Sequence, residues 1–102
     1  MADFVKVASA SEIPAGQLKG FTVNGVKILV ANVSGALHCM GSQCTHKGGP
    51  LDEGDLSGSE VTCPWHGGTF DVTTGDATAP PAMVPAKKFE VKVQNGEIWV
   101  KV

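Results

Sequence analysis

The chain has 102 residues, three cysteines, three histidines and a formal net charge of −2 at pH 7. Its length predicts one domain, residues 1–102, with a modest core. All eight basic residues are lysines, and this slightly acidic balance argues against nucleic acid or an anionic membrane as the main partner. No apolar run reaches membrane-spanning length and residues 1–6 lack a signal-peptide pattern, so we expect a cytoplasmic protein.

The N-terminal half reads as short strands separated by turns. Asn24-Gly25 is a two-residue hairpin signal, and Ser34-Gly35 predicts a second turn. Residues 11–16 form a third turn-like stretch. The strands predicted here are 4–7, which would be an edge strand, 21–23, 26–31 and 37–40.

The C-terminal half continues this pattern, with strands predicted at 60–62 and 69–72, a turn at 73–76 and an irregular proline-rich stretch at 80–85. Alternation is clearest at the end, where Phe89, Val91 and Val93 share one side. The pattern repeats after Asn95-Gly96 with Ile98, Val100 and Val102, which predicts a half-buried hairpin. No segment keeps a helical apolar period, so the predicted fold class is all-β.

Two short motifs carry the chemistry: Cys44-Thr45-His46 and Cys63-Pro64-Trp65-His66, separated by residues 47–62. Each motif offers one thiolate and one imidazole. If both loops close over one inorganic centre, the two cysteines can bind one metal and the two histidines a second. That mixed set is the ligation of a Rieske [2Fe–2S] cluster, with Cys44, His46, Cys63 and His66 as ligands.

The ligand types also predict the redox behaviour of such a centre. Two ferric ions and two sulfides carry a charge of +2, so two thiolates and two neutral imidazoles give a neutral oxidised cluster, which accepts an electron more readily than an all-thiolate one. Potentials of roughly −150 to +300 mV are expected, against about −400 mV for all-cysteine clusters. Each imidazole keeps a second nitrogen that can lose a proton, so reduction and protonation can be coupled.

The C-x-H and C-x-x-H pairs, together with Gly48-Gly49-Pro50 and Gly67-Gly68, resemble the Rieske ferredoxin family from about Phe4 to the end of the chain. Glycines beside the ligands allow backbone N–H groups to approach the sulfurs. The resemblance implies the Rieske-type fold, with stacked antiparallel β-sheets and a small cluster-binding subdomain at about residues 43–71. It also implies one [2Fe–2S] cluster per chain.

By the same resemblance, the chain would be a one-electron carrier and not itself an enzyme. Its partners would be a flavoprotein ferredoxin reductase that uses NAD(P)H and a terminal, ring-hydroxylating oxygenase. Catalysis by an oxygenase needs a further iron held by two histidines and a carboxylate. With two of its three histidines assigned to the cluster, this chain has only His38 left for such a site.

Four alternatives remain open at this point. A structural Cys₂His₂ zinc site uses the same residue types, although zinc sites usually pair Cys with Cys and His with His. A Cys44–Cys63 disulfide would leave both histidines unexplained. The chain could also be a Rieske-like small subunit or interaction module of a reductase such as nitrite reductase. A respiratory Rieske subunit would need a membrane anchor and two bracing cysteines, at positions where this chain has Gly49 and Trp65.

Residues near the motifs give further expectations. Cys39 is predicted to be a small buried hydrophobic residue and His38 a solvated strand residue. Trp65 is expected to cover the cluster. Pro50, Leu51 and Trp65 are expected to form an apolar docking surface, with acidic neighbours that steer a basic partner. Those neighbours are Asp52, Glu53 and Asp55.

A low reduction potential is also expected. By resemblance, respiratory Rieske proteins carry a serine and a tyrosine whose hydroxyls donate hydrogen bonds to cluster sulfurs. The matching positions here are Gly68 and Phe70, whose side chains cannot donate.

Overall fold

A computed structural model of the chain describes residues 4–42, 51–64, 68–79 and 86–101. Ten strands lie in these ranges, and every paired strand is antiparallel to its neighbour. This confirms the all-β prediction. The strands are β1 Phe4–Ser9, β2 Leu18–Val23, β3 Val26–Val33, β4 Ala36–Gly41, β5 Asp55–Ser57, β6 Glu60–Thr62, β7 Thr69–Asp71, β8 Ala77–Ala79, β9 Lys88–Gln94 and β10 Glu97–Lys101.

The strands form two sheets. A six-stranded base sheet has the order β1-β10-β9-β4-β3-β2, with β1 at its edge as predicted. A four-stranded sheet has the order β5-β6-β7-β8 and is built from the chain between β4 and β9. Two 3₁₀ turns, Ala10–Glu12 and Leu51–Glu53, complete the described structure. The chain therefore leaves the base sheet at the end of β4, builds the small sheet and returns at β9.

Three hairpins of the base sheet turn through two residues that both have positive φ. Asn24 and Gly25 have φ of 52° and 79°, and Asn95 and Gly96 have 54° and 73°. Ser34 and Gly35 repeat the pattern. Hairpin turns of this kind match the twist of the flanking strands and favour Asn-Gly because both residues tolerate the left-handed region. The predicted turns are confirmed at all three places.

Strand β3 is buried on both faces, and it separates two hydrophobic cores. Ile28 and Val30 face one core, whereas Leu29 and Ala31 face the other. The first core also contains Cys39, Ile98 and Val100 of the base sheet. The second core lies between the base sheet and the small sheet, and its buried members beyond β3 are Met40, Leu51, Val61, Cys63, Phe70, Val72 and Ala86.

The C-terminal hairpin departs from its prediction at one position. Ile98 and Val100 are fully buried and Phe89 and Val91 are partly buried, but Val93 is 52% exposed although Ile98, its partner across the hairpin, is fully buried. β4 pairs with β9 only at Lys88 and Phe89, so none of the described strands lies beside Val93 on that side of β9. Val102 and the proline-rich stretch 80–85 lie outside the described residues. Within the described ranges, no helix has the length and apolarity that crossing a bilayer requires.

Candidate metal centre

Cys63 is the one predicted ligand within the described residues; Cys44, His46 and His66 lie outside them. It directly follows β6, forms no disulfide and is 1% exposed. Its side chain belongs to the core between the two sheets, together with Val61 and Phe70. Val61 and Phe70 are paired across β6 and β7. Cys63, the first residue of the second motif, therefore lies directly after a paired strand.

The roots of both ligand-bearing loops meet in this same core. The Leu51 N–H donates to the Ser42 carbonyl at 2.6 Å, which closes the segment 43–50 at its base. The Cys63 N–H donates to the Gly68 carbonyl at 2.7 Å, which closes the second segment. Leu51 and Cys63 are both members of the core between the sheets. The described residues that flank the two motif segments therefore meet at one core.

The position of Cys63 fits a ligand of a metal cluster. A thiolate in an apolar environment is costly unless a cation or hydrogen-bond donors compensate its charge. Metal coordination supplies that compensation and deprotonates the thiol outright. Cys63 lies at the start of a loop whose sequence brings an imidazole three positions later, and the other loop of the same core brings a second thiol–imidazole pair. The donor set fits a [2Fe–2S] cluster.

Cys39 provides a contrast. It is fully buried in the other core, on the far face of the base sheet from Cys63. Burial raises the pKa of its thiol to about 12, although the positive charge of Lys88 acts in the opposite direction. The prediction of a small buried hydrophobic residue is confirmed for Cys39.

Close backbone contacts fix the turn that follows the first loop. A Cβ on Gly54 would lie 3.0 Å from the Thr62 carbonyl carbon, so the 3₁₀ turn lies directly against β6. On the other side, a Cβ on Gly20 of β2 would lie 2.6 Å from the Asp52 Cγ. Only glycine fits at these two positions without a shift of the turn.

These contacts correct the expected docking surface. Leu51 is fully buried, so its assignment to an exposed apolar surface was wrong: it anchors the loop root instead. Asp52 is half-buried with its side chain against Gly20, whereas Glu53 and Asp55 are exposed. Pro50 and Trp65, the other members of the predicted surface, lie outside the described residues.

A group of titratable side chains at the junction of the two sheets was missed by the sequence analysis. His38, predicted to be solvated, is half-buried; burial and the nearby Lys88 charge lower its pKa, while Asp71 partly opposes them. Burial also lowers the pKa of Lys88, whose Nζ donates to the Val72 carbonyl at 2.8 Å. The sequence did contain a signal for the position of Lys88. Phe89 packs against the first core, so alternation along β9 places Lys88 on the other face of the strand, which the small sheet covers.

Asp71 belongs to this group through its hydrogen bonds. The Thr73 hydroxyl and the Thr73 N–H donate to its carboxylate, and these bonds lower the pKa of Asp71. The Ala86 N–H donates to the Gly75 carbonyl at 2.7 Å beside it. The start of β9 is thus tied to the turn that follows β7.

Comparison with known proteins places the chain in a family. Residues 3–90 match the model of the Rieske [2Fe-2S] domain. The chain is 34% identical over 100 residues to the ferredoxin component of the naphthalene 1,2-dioxygenase/salicylate 5-hydroxylase systems of Ralstonia sp., covering 98% of this chain and 96% of that protein. The chain is also 34% identical over 95 residues to human apoptosis-inducing factor 3. That match covers 93% of this chain but only 16% of the relative's length.

Solved structures agree with this assignment. The ferredoxin of carbazole 1,9a-dioxygenase from Nocardioides aromaticivorans IC177 matches with a TM-score of 0.91 and 33% identity, covering 95% of each chain. A chain in the complex of reduced oxygenase and oxidised ferredoxin of carbazole 1,9a-dioxygenase matches with a TM-score of 0.92 and 35% identity, covering 96% of this chain and 92% of that one. The chain therefore belongs to the Rieske [2Fe-2S] domain family, and its cofactor is a Rieske-type [2Fe–2S] cluster rather than a structural zinc ion.

Proposed function

We propose that this protein is a one-electron carrier in which Cys44 and Cys63 bind one iron of the cluster and His46 and His66 bind the other. The observation that supports this most is the convergence of the two loop roots, Ser42/Leu51 and Cys63/Gly68, at one core. The cluster supplies reversible one-electron transfer when bound. We propose that residues 1–102 act as a single domain.

The described residues contribute by holding the loops and excluding water. The core around Cys63 keeps its sulfur away from solvent, which strengthens electrostatic interactions there. The hydrogen bond from the Cys63 N–H to the Gly68 carbonyl fixes both ends of the second loop. Such backbone contacts keep ligands in one geometry in both redox states, so little reorganisation is needed when an electron arrives.

The partners we propose are a flavoprotein ferredoxin reductase, which would supply electrons from NAD(P)H, and a terminal ring-hydroxylating oxygenase, which would accept them. Support comes from the similar Ralstonia ferredoxin component and from the solved complex of an oxygenase with a ferredoxin. The chain would carry electrons without catalysing the oxygenation, and we place it in the cytoplasm, where NAD(P)H is available to the reductase.

The charges of the chain are divided between its two sheets. Residues 51–79 contain six carboxylates and no lysine, whereas residues 4–42 and 86–101 contain seven lysines and three carboxylates. Charge separated in this way orients a molecule during diffusional encounter. We propose that the exposed Glu53 and Asp55 on the small-sheet side steer a basic surface of a partner towards the loops.

A stopped-flow experiment tests this function. The purified protein, reduced under anaerobic conditions, is mixed with the oxidised oxygenase component of carbazole 1,9a-dioxygenase, and the oxidation of its cluster is followed by absorbance. We expect rapid oxidation in single turnover, and slower oxidation at high salt because steering is screened. A protein with an intact, reducible cluster that transfers no electron to this oxygenase or to that of a naphthalene dioxygenase system would contradict the proposal.

A further inference from the structure

A groove of about 440 Å³ opens on the base sheet where the chain passes into the first ligand-bearing loop. The turn between β2 and β3 forms one wall, and residues 86–89 at the start of β9 form the other. The end of β4 lies between them. The lining residues are Gly25, Val26, Lys27, Gly41, Ala86, Lys87 and Phe89.

The backbone of this groove leads directly towards Cys44. The Gly41 N–H donates to the Lys87 carbonyl at 2.8 Å, and the Ser42 N–H donates to the Lys27 carbonyl at 3.1 Å. Both walls are therefore fastened to the two residues that precede the segment 43–50. A protein segment seated in the groove would lie against Gly41, three residues before the proposed ligand Cys44 in the sequence.

The lining combines apolar surface with positive charge. Val26 is 38% exposed, and the Phe89 ring lies beneath the Lys87 Nζ at 5.3 Å from its centroid. Lys27 and Lys87 are both exposed, and no carboxylate lines the groove. The ion pairs found among the described residues use Lys6, Lys19 and Lys101 instead. The groove thus offers two lysine ammonium groups around an apolar floor.

We propose that this groove binds an acidic segment of the terminal oxygenase, with carboxylates beside Lys27 and Lys87 and an apolar side chain against Val26 and Phe89. This inference rests on the proposed function and deepens it by naming a second contact. A partner that matches both the acidic small sheet and this basic groove must present basic and acidic surfaces in the right relative positions. Two contacts of opposite sign fix the rotation of the partner about the cluster, which one contact cannot do.

Binding of a defined peptide tests the chemistry of the groove. The probe is a five-residue peptide with two carboxylates on each side of a leucine, and its neutral counterpart carries amides in their place. Backbone amide signals of the ¹⁵N-labelled holoprotein are followed during titration. We expect shifts centred on Gly25, Lys27, Lys87 and Phe89 with the acidic peptide only, and their loss in Lys27→Glu and Lys87→Glu.

Lys92→Glu is a matched control, because Lys92 also lies over a phenylalanine ring, with its Nζ 4.4 Å from the Phe4 centroid. Lys92 lies on β9 outside the groove lining, and alternation places it on the opposite face of the strand from Phe89. It should bind the acidic peptide as the wild type does. Shifts that are absent from the groove, or that weaken equally in Lys92→Glu and Lys87→Glu, would overturn the proposal.

The oxygenase experiment separates this inference from the proposed function. At low ionic strength, Lys27→Glu/Lys87→Glu should reduce the oxygenase on the order of tenfold more slowly than the wild type, whereas Lys92→Glu should not. Equal rates in all three proteins would overturn the groove proposal and leave the electron-carrier function intact. If the wild type itself fails to reduce the oxygenase, the function is contradicted, and the peptide titration still decides whether the groove binds acidic segments.

Discussion

At the scale of single residues, the chain has two buried cysteines to which we assign different roles. Cys39 is enclosed by apolar side chains on the far face of the base sheet, where burial raises the pKa of its thiol to about 12. Cys63 is equally buried but stands at the mouth of a loop that carries an imidazole. Sequence position beside the motif, rather than burial, distinguishes the proposed ligand from the inert thiol.

Phe70 and Gly68 are the residues through which the potential can be tested. Phe70 is fully buried in the same core as Cys63, and Gly68 closes the second loop. Neither side chain donates a hydrogen bond, so we expect a wild-type potential near the bottom of the range of roughly −150 to +300 mV. Gly68→Ser and Phe70→Tyr should each raise it, by about 40 mV for a bond worth about 1 kcal/mol.

Protein-film voltammetry measures these potentials, and thermal unfolding supplies the control. A buried tyrosine hydroxyl without an acceptor costs about 1–3 kcal/mol of stability. A Phe70→Tyr variant that is less stable than the wild type but has the same reduction potential would show that the tyrosine hydroxyl does not reach the cluster. A wild-type potential near the top of the range would show that backbone donors or solvent exposure dominate.

His38 predicts a pH dependence of stability. Because burial and Lys88 hold its folded-state pKa below the ordinary value of 6.5, the unfolded chain binds the proton more readily. The stabilising effect of neutral His38 is therefore complete above pH 6.5 and is lost as the pH falls from there through the lowered pKa. Asp71 opposes this shift in part.

His38→Gln should reduce the slope of unfolding free energy against pH in that window, as measured by urea denaturation with cluster absorbance as the signal. The cluster ligands contribute the same pH dependence to both proteins, so the difference between them isolates His38. Identical slopes would contradict a half-buried histidine at this junction.

At the scale of elements, the 3₁₀ turn Leu51–Glu53 joins the first loop to both sheets. Its Leu51 enters the core and its Asp52 lies against Gly20. We expect Gly20→Ala to destabilise the fold by about 1–3 kcal/mol, because the new methyl group would overlap the Asp52 side chain and displace the turn. Loss of cluster should accompany it, since the turn ends the segment that contains Cys44.

A double-mutant cycle checks this contact. Asp52→Gly removes the opposing side chain, so Gly20→Ala should cost much less in that background than in the wild type. Chemical denaturation of the four proteins gives the coupling energy. If Gly20→Ala is equally costly with and without the Asp52 side chain, the contact does not hold the turn.

The elements could be predicted well wherever a local rule determines them. Asn24-Gly25 and Asn95-Gly96 predict hairpins because their residues accept positive φ. Alternation predicts the strands beside Asn95-Gly96, whereas β3, beside Asn24-Gly25, is buried on both faces. Contacts between the sheets could not be predicted in the same way. The burial of Leu51 and the proximity of His38 to Lys88 arise only when the small sheet covers the base sheet. Alternation along β9 indicates the face on which Lys88 lies, but not what covers that face. Val93 is a further example, since alternation predicts its burial but β4 does not extend along β9 far enough to lie beside it.

The candidate site was predictable for a different reason. The ligands we propose come from the two motifs, because few residue types bind iron and a Rieske cluster needs two cysteines and two histidines. The convergence of the loop roots at Leu51 and Cys63 supports that prediction from the fold. The docking surface was harder, since exposure of Leu51 and Asp52 depends on what packs beneath the loop.

At the scale of the whole molecule, acidic and basic residues are concentrated in different segments of the chain. The small-sheet segment, residues 51–79, has six carboxylates and no lysine, while seven of the eight lysines lie in residues 4–42 and 86–101. The eighth, Lys47, lies outside the described residues. Net charge alone, −2, conceals this division. A partner therefore meets an oriented field during its approach, not a uniformly acidic protein.

Charge reversal of Glu53 and Asp55 tests the steering role of the acidic side. Glu53→Lys/Asp55→Lys should slow reduction by the flavoprotein reductase or oxidation by the oxygenase at low ionic strength, and the difference from wild type should vanish at high salt. Asp52 is left unchanged because its side chain lies against Gly20. Glu90→Lys, on the base sheet, is the control. Stopped-flow rates that match the wild type with both partners at low salt would contradict steering by these residues.

The central claim is that one Rieske cluster is bound by Cys44, His46, Cys63 and His66. The most direct measurement is an iron and sulfide count with an EPR spectrum of the reduced protein, for the wild type and for alanine variants of each ligand. We predict about two irons and two sulfides per chain and the low average g value of histidine-ligated iron, lost or altered in all four variants. Cys39→Ala should keep the wild-type spectrum. Stoichiometric zinc, or an unchanged spectrum after any ligand substitution, would contradict the account.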